Sequence, residues 1–218
     1  MKKLLVLSSL LLFCITFVFA QEQVNEAEKS LQHDIGFNTI FILQGIFQSN
    51  QTPFSLMYKK YISEKQAIRF GIDAFFNLDN TSTFPGSSTY FNSSAASLSI
   101  AIGKEFQKPI DKRWTWYLGS DLVPFFSFNN QDMFQSGSLY SESESSSIGM
   151  SVRPFLGIRF NINPRLYLSA EANVGLQYSY TKNYINYIDN SEPYADTNGN
   201  NISLSMNPAS GLFLYYRF

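Results

Sequence analysis

Cysteine and histidine are almost absent from this chain, which contains one of each among its 218 residues. Cys14 lies in an N-terminal stretch that we expect to be cleaved, so the mature chain forms no disulfide and no thiolate metal site. Catalysis by a cysteine thiol is excluded for the same reason. The sequence assigns no activated serine to His33, so the pair that acyl transfer needs is lacking. We therefore predict no catalytic, cofactor-binding or metal-binding residues.

Charged residues are also scarce, at 15% of the chain, and nearly balanced. Loss of Lys2 and Lys3 with the cleaved stretch lowers the basic count from 16 to 14 against 17 acidic residues, which is a net charge of −3. A nucleic-acid partner requires a basic patch or stripe. We therefore expect no nucleic-acid partner.

Long hydrophobic runs are missing after the N-terminus. Met1-Lys2-Lys3 is a short basic start, residues 4–19 are mainly apolar, and Ala20 fits a cleavage site. This pattern predicts a secretory signal peptide over residues 1–20 and a polar periplasmic tail over residues 21–32. An uncleaved anchor is the alternative, but the apolar run is shorter than the roughly 20 residues of a spanning helix.

Aromatic residues are abundant instead, since the chain has 21 Phe and 13 Tyr. No mature stretch is apolar enough for a membrane helix, so these side chains must be spread through strands that alternate apolar and polar residues. Reading the sequence with a period of two predicts eight strands bounded by turn residues. The predicted strands are residues 33–48, 53–62, 67–77, 95–107, 114–129, 147–162, 165–182 and 202–218.

The alternation is clearest in the sixth and seventh segments. Even positions there are almost all apolar, while odd positions carry Ser, Gly, Asn and most of the charges. An antiparallel sheet in water also alternates, so alternation alone does not separate a soluble barrel from a membrane barrel.

The placement of charge does separate them. The apolar face carries almost no charge, and its exceptions, Lys60 and Lys104, have stems long enough to reach an interface. The polar face is too sparsely charged for a surface in contact with water. We therefore predict an all-β, eight-stranded antiparallel transmembrane up-and-down β-barrel whose polar face lines the lumen. The predicted lumen charges are Lys59, Arg69, Asp73, Glu105, Asp121, Arg153, Arg159, Glu171 and Arg217.

Large aromatic residues fall at two levels of the predicted strands. Trp116 and Phe126 are ten residues apart on one face. At about 3.3 Å per residue and a tilt of about 40°, this separation spans roughly 25 Å of membrane normal, the height of the apolar band of a bacterial barrel. The two predicted girdles are Phe106, Trp114, Trp116, Phe160, Tyr216 and Phe218 at one end, and Phe54, Phe76, Phe126, Phe128, Tyr178 and Tyr180 at the other.

Three prolines, at positions 124, 154 and 208, fall inside predicted strands. Each removes a hydrogen-bond donor from a sheet that should have no edge. We expect β-bulges at these positions.

The predicted connections alternate in length. Short turns lie at residues 63–66, 109–113 and 161–164, long polar stretches lie at 78–94, 130–146 and 183–201, and the first loop, 49–52, is brief. An even number of strands then places both termini in the periplasm and the long loops outside the cell.

The long loops contain aromatic residues among small polar ones, a composition that makes adaptable contact surfaces. The alternative is that loop tips simply tolerate such residues. The candidate loop contacts are Phe134, Tyr140, Tyr184, Tyr187 and Tyr194.

The signal peptide, the eight alternating segments and the terminal Tyr-Tyr-Arg-Phe218 together resemble the small OmpA/OmpX-type outer-membrane β-barrels. The resemblance covers residues 33–218 and is one of architecture. It implies a location in the bacterial outer membrane and contact with outer-membrane lipid. It also implies that the barrel assembly machinery recognises Tyr216 and Phe218 as an assembly signal.

An eight-stranded barrel is only wide enough for side chains to fill its lumen, so no open pore is expected. Five of the nine predicted lumen charges are basic and four are acidic, close to the balance that pairing requires. If the turn after the sixth strand has three or five residues, Glu171 lies opposite Phe155 or Gly157, near Arg159 or Arg153. A selectivity filter and a structural plug both fit such a set, and we favour the plug.

The sequence thus predicts a non-enzymatic outer-membrane barrel with a structural or surface-interaction role in the cell envelope, exerted through long extracellular loops. A narrow channel, or an accessory barrel for transport or secretion, is the alternative. A barrel enzyme that modifies lipids is the third interpretation. The extracellular ligand stays unknown.

Overall fold

In a computed structural model, the chain forms eight β-strands that close into a barrel. The structure describes residues 32–40, 54–83, 89–135, 138–188 and 195–218. The strands are β1 (His33–Asn38), β2 (Phe54–Ser63), β3 (Gln66–Thr83), β4 (Thr89–Pro109), β5 (Trp114–Gln135), β6 (Ser138–Asn161), β7 (Leu166–Tyr187) and β8 (Ala195–Arg217). Each strand pairs antiparallel with the next, and β8 pairs with β1, so the predicted all-β up-and-down architecture is confirmed. Within the described residues, no helix is long and apolar enough to cross a membrane.

Side chains alternate between the lumen and the outer surface because successive residues of a strand point to opposite faces. On β2 to β8 the odd-numbered residues point inward as far as the register shifts near the polar ends of the strands, and Lys59, Tyr117 and Phe213 are buried examples. On β1 the parity is reversed, so that Asp34 is buried and Ile35 is exposed. Among the described residues outside β1, every exposed large hydrophobic side chain has an even number. The predicted assignment of faces is therefore confirmed.

The three polar stretches predicted as long loops belong largely to strands, so that prediction is wrong. These stretches are rich in Ser, Asn and Tyr on both faces, and a strand that is polar on both faces shows no hydrophobic alternation. Its pairing is visible only in the structure. Ser145 Oγ donates to Asn183 Oδ1 at 2.8 Å, and the hydroxyls of Ser147 and Thr181 lie 2.6 Å apart. The sheet therefore continues as tall polar hairpins.

Most of the candidate loop contacts consequently lie in strands, which corrects their assignment to loops. Tyr194 lies outside the described residues. The four in strands are Phe134 on β5, Tyr140 on β6, and Tyr184 and Tyr187 on β7.

β1 is much shorter than the strand predicted over residues 33–48. It ends at Asn38, although the backbone N–H of Thr39 still donates to Leu212 O of β8 at 2.7 Å. Residues 41–48 of that predicted segment and the brief loop over 49–52 lie outside the described residues. The predicted signal peptide over residues 1–20 and residues 21–31 of the predicted tail also lie outside them.

Only one of the three prolines produces the expected bulge. Pro208 lies where the β7–β8 register shifts, opposite the stretch between Glu171 and Asn173. Pro124 and Pro154 lie in an unbroken β5–β6 register, so the bulges predicted there are wrong. The ladders toward β4 and β7 skip these two prolines without a change of register. A missing donor is thus accommodated by omitting a pair rather than by inserting a residue.

The register supports the two aromatic levels. At the end with the short turns, Trp114 lies opposite Phe160, and their ring centroids are 4.7 Å apart. Toward the opposite end, where the tall polar hairpins lie and which we call the hairpin end, Ala96 lies opposite both Phe76 and Phe128. Aromatic side chains thus lie opposite each other on adjacent strands at one level, and on the two strands that flank β4 at the other.

Two glycines make room for tyrosine rings inside the barrel. A β-carbon at Gly36 would overlap the ring of Tyr215, and one at Gly157 would overlap the ring of Tyr117. Both tyrosines are buried, so neither ring has space to move away. Aromatic rings that cover glycines on neighbouring strands are a known device for shaping curved sheets.

Candidate functional site

Arg69 of β3 occupies the centre of the lumen. Its Nη1 lies 2.8 Å from Glu171 Oε2, and its Nη2 donates to Glu171 Oε1 at 3.1 Å. β3 and β7 are four strands apart in a ring of eight, so this two-point contact spans the lumen. Arg69 Nε also lies 3.2 Å from Asp121 Oδ1, as an ion pair without hydrogen-bond alignment. Its Nη1 lies 3.5 Å from Glu105 Oε2.

A second cation, Lys59, shares one of these carboxylates, that of Glu105. Its Nζ lies 2.7 Å from Glu105 Oε2. The same Nζ lies between two tyrosine rings, 4.6 Å from the ring centroid of Tyr117 and 4.5 Å from that of Tyr215. The faces of these rings add a favourable interaction with the ammonium group. The guanidinium group of Arg69 lies over an aromatic ring as well, with its Cζ 3.8 Å from the ring centroid of Phe155. We call this group the Arg69 cluster, which comprises Lys59, Arg69, Glu105, Asp121 and Glu171.

A separate cluster surrounds Asp34, whose side chain is completely buried. Arg217 Nε donates to Asp34 Oδ1 at 2.8 Å, and Arg217 Nη2 donates to Asp34 Oδ2 at 3.2 Å. The hydroxyls of Tyr61 and Tyr167 both donate to Asp34 Oδ2 at 2.5 Å. Four hydrogen bonds therefore compensate for the removal of this carboxylate from water.

Tyr61 connects the Asp34 carboxylate to the other groups in the lumen. Its hydroxyl oxygen accepts hydrogen bonds from Arg217 Nη2 at 2.8 Å and from Arg159 Nη1 at 3.0 Å. Gln107 Nε2 donates to Tyr61 Oη at 3.2 Å and to Glu105 Oε1 at 2.6 Å, so Gln107 links this group to the Arg69 cluster. We call the second group the Asp34 cluster, which comprises Asp34, Tyr61, Arg159, Tyr167 and Arg217.

The structure places all nine predicted lumen charges on the inner face of the barrel. Seven belong to the two clusters. Arg153 and Asp73 form a separate pair, with Arg153 Nη2 3.5 Å from Asp73 Oδ2, and each side chain remains about a quarter exposed. Ser99 Oγ donates to Asp73 Oδ2 at 3.1 Å.

The predicted partner of Glu171 is wrong, although its register is right. Glu171 lies opposite Gly157 on β6, as predicted for a turn of this length. Its side chain nevertheless binds Arg69 on the far wall rather than Arg159 or Arg153. Register describes neighbours along the sheet, whereas this lumen is narrow enough for long side chains to meet across it.

Sequence reasoning missed Asp34, Tyr61, Tyr167 and Gln107. Asp34 had a usable signal, because Asp34, Gly36 and Asn38 alternate with Ile35 and Phe37. With Asp34 included, the described lumen holds five basic and five acidic side chains. The alternation places Tyr61 and Tyr167 on the inner face, but nothing in the sequence indicates that their hydroxyls bind Asp34.

A cavity of about 460 Å³ lies beside the Arg69 cluster. Its lining includes Arg69, Glu171 and Phe155 from that level of the barrel. Asp73 and Arg153 also line it. Among the described residues, the lumen therefore contains two packed ionic clusters and, beside them, a cavity large enough for a small molecule.

The remaining predicted residues have simple environments. Tyr216 pairs with Ile35 and Leu166 in the sheet, Phe218 is half exposed, and their role as an assembly signal stays a prediction. His33 Nδ1 lies 2.6 Å from Tyr58 Oη, and the two rings stack.

In the part of the chain that the structure describes, no group of three or more His, Cys, Asp or Glu side chains is arranged to hold a metal ion.

No protein-family model matches this chain, and no curated protein matches it. Among solved structures, it is similar to the ferric yersiniabactin uptake receptor FyuA from Yersinia pestis, with a TM-score of 0.43 and 10% sequence identity. The similarity covers 73% of this chain and 26% of the receptor chain, so this chain spans about a quarter of that receptor.

Replacement of Glu171 by Ala should destabilise the barrel strongly. The variant leaves Arg69 buried without its two-point partner, and breaking a buried pair in this way costs about 3–5 kcal/mol. The measurement is reversible urea unfolding in lipid vesicles. Glu144→Ala, which removes an exposed carboxylate on β6, is the matched control and should change stability by less than about 0.5 kcal/mol. Equal stability of the two variants would show that the Arg69–Glu171 contact does not form.

Proposed function

We propose that this protein is a non-enzymatic outer-membrane β-barrel that serves the bacterial cell envelope in a structural or surface-interaction role. The observation that carries the proposal is the distribution of polarity. Charges are buried in the lumen, while Leu118, Leu156 and Leu176 are each about half exposed on the outside. A soluble barrel would have the opposite arrangement, because contiguous exposed apolar surface of this extent favours association. Lipid is the solvent that suits the outer face.

The height of the strands supports a surface role. On β5 the outward positions are mostly apolar as far as Phe128 and become polar at Asn130 and Asp132. The strand continues to Gln135 and turns back into β6. Since the apolar band of such barrels is about 25 Å tall, this hairpin would extend beyond the membrane.

The hairpin ends carry aromatic pairs among polar residues. Tyr90 stacks on Phe134 with ring centroids 4.5 Å apart, and Tyr140 meets Tyr187 edge to face at 6.0 Å. Aromatic rings fixed on strands make contact at a low cost in conformational entropy. We propose that this end faces the cell exterior and that the short turns and both termini face the periplasm. The proposed partners are outer-membrane lipid, the barrel assembly machinery and an extracellular ligand of unknown identity.

The lumen argues against the channel alternative. The Arg69 cluster reaches from one wall to the opposite wall, and the Asp34 cluster connects to it through Gln107. An ion that crossed this level would have to displace buried, paired charges. We therefore propose that the two clusters form a structural plug.

Labelling of single cysteines tests the location and orientation. The mature chain has no cysteine of its own, so Ser138→Cys at the hairpin end and Lys112→Cys in a short turn each introduce one reactive site. A membrane-impermeant maleimide applied to whole cells should label Ser138→Cys and should spare Lys112→Cys until the outer membrane is disrupted. Labelling of only the turn in whole cells would reverse the proposed orientation. Recovery of unlabelled protein in the soluble fraction would contradict the membrane location.

Planar-bilayer recording tests the absence of a pore. The wild-type barrel should give no stable conductance steps, because the two ionic clusters fill the lumen at the level below the cavity. Insertion is verified separately by the different migration of unboiled and boiled samples on a detergent gel. Reproducible steps whose ion selectivity changes in Arg69→Gln would favour the channel.

A further inference from the structure

The cavity beside the Arg69 cluster differs from the rest of the lumen. At about 460 Å³ it falls within the range of roughly 300–1,000 Å³ that small-molecule sites occupy. Ser55, Ser97, Ser99, Asn173 and Asn207 contribute neutral polar groups to its lining. Phe125, Phe155, Phe213 and Met57 add apolar surface. A few placed polar groups on a partly apolar wall are typical of a ligand site.

The ion pair in this cavity is incompletely satisfied. Arg153 Nη2 and Asp73 Oδ2 are 3.5 Å apart, whereas the main pairs of the two clusters lie at 2.7–2.8 Å. Arg153 Nε is buried and has no hydrogen-bond partner, but the same is true of Arg69 Nε and Arg159 Nε in the two clusters. What distinguishes the Arg153–Asp73 pair is that both of its side chains remain about a quarter exposed. A guanidinium offers five donors, so the exposed part of Arg153 retains capacity for a ligand oxygen.

The charges near the cavity select the kind of ligand. Arg153 and Asp73 cancel each other, and the adjacent Arg69 cluster has two cations against three carboxylates. An anion would therefore bind beside a net negative charge. A molecule that offers a carboxylate to Arg153 fits this site best when it also offers an ammonium group to Asp73.

We propose that this cavity binds a small zwitterion, an α-amino acid or a short peptide. Its carboxylate accepts a hydrogen bond from Arg153 Nη2, and its ammonium group donates to Asp73. Because the ligand carries both charges, it replaces the long Arg153–Asp73 contact with two closer ones and leaves the net charge of the lumen unchanged. The inference depends on the cavity alone and stands apart from the proposed surface role.

Binding of glycylglycine to the mature barrel in lipid nanodiscs tests the proposal by calorimetry. Two capped probes isolate the charges: glycylglycinamide lacks the carboxylate, and N-acetylglycylglycine lacks the ammonium group. Glycylglycine should bind at millimolar concentration or below, and each capped probe should bind at least roughly tenfold more weakly, which corresponds to about 1.4 kcal/mol. Absence of glycylglycine binding, or equal binding of the three probes, would overturn the proposal.

Variants assign the two contacts. In Arg153→Gln, glycylglycine and glycylglycinamide should bind equally, and in Asp73→Asn, glycylglycine and N-acetylglycylglycine should bind equally. Lys182→Gln and Glu144→Gln remove one exposed charge each outside the cavity lining and should leave glycylglycine binding unchanged. Heat-dependent migration on a gel verifies that each variant folds. If a variant does not fold, the three probes on the wild-type barrel still decide the outcome. Full binding of glycylglycine to Arg153→Gln would contradict the assignment.

Discussion

The contact between Arg69 and Glu171 is the constraint on which the interior of this barrel depends. It joins β3 to β7 across the lumen, and the remaining members of the Arg69 cluster contact one of these two residues or share their partners. Charges removed from water are tolerated only when they are paired and hydrogen-bonded. The interior must therefore be assembled as a unit, since the loss of one member leaves another charge uncompensated.

The closed sheet explains why charges can be inside and apolar residues outside. A barrel has no strand edge, so all of its backbone groups can pair within the sheet and the outer face can be apolar. The alternation of each strand then sends polar residues inward, where five basic and five acidic side chains balance. Above the apolar band the outer positions become polar as well. The same strands thus suit lipid along one part of their length and water along another.

Much of this arrangement could be predicted because the period of two is a local property of the chain. It gave the strand count and the inward set from Lys59 to Arg217. Strand length could not be read near Ser145, where both faces are polar, and the partner of Glu171 could not be read because contacts across a lumen leave no trace in strand alternation. Asp34 was missed although β1 alternates, because this strand is only six residues long and its inward residues have even numbers. The cavity could not be predicted, since it depends on side-chain packing from several strands.

A double-mutant cycle on Arg69 and Glu171 tests the central claim most directly. Arg69→Met, Glu171→Met and the double variant are unfolded reversibly by urea in lipid vesicles, and the coupling free energy is obtained from the four stabilities. Residues in direct contact within an ionic network should show a coupling of about 1–3 kcal/mol, with the double variant less destabilised than the sum of the single variants. A coupling near zero would show that the two side chains do not meet across the lumen and would contradict this account.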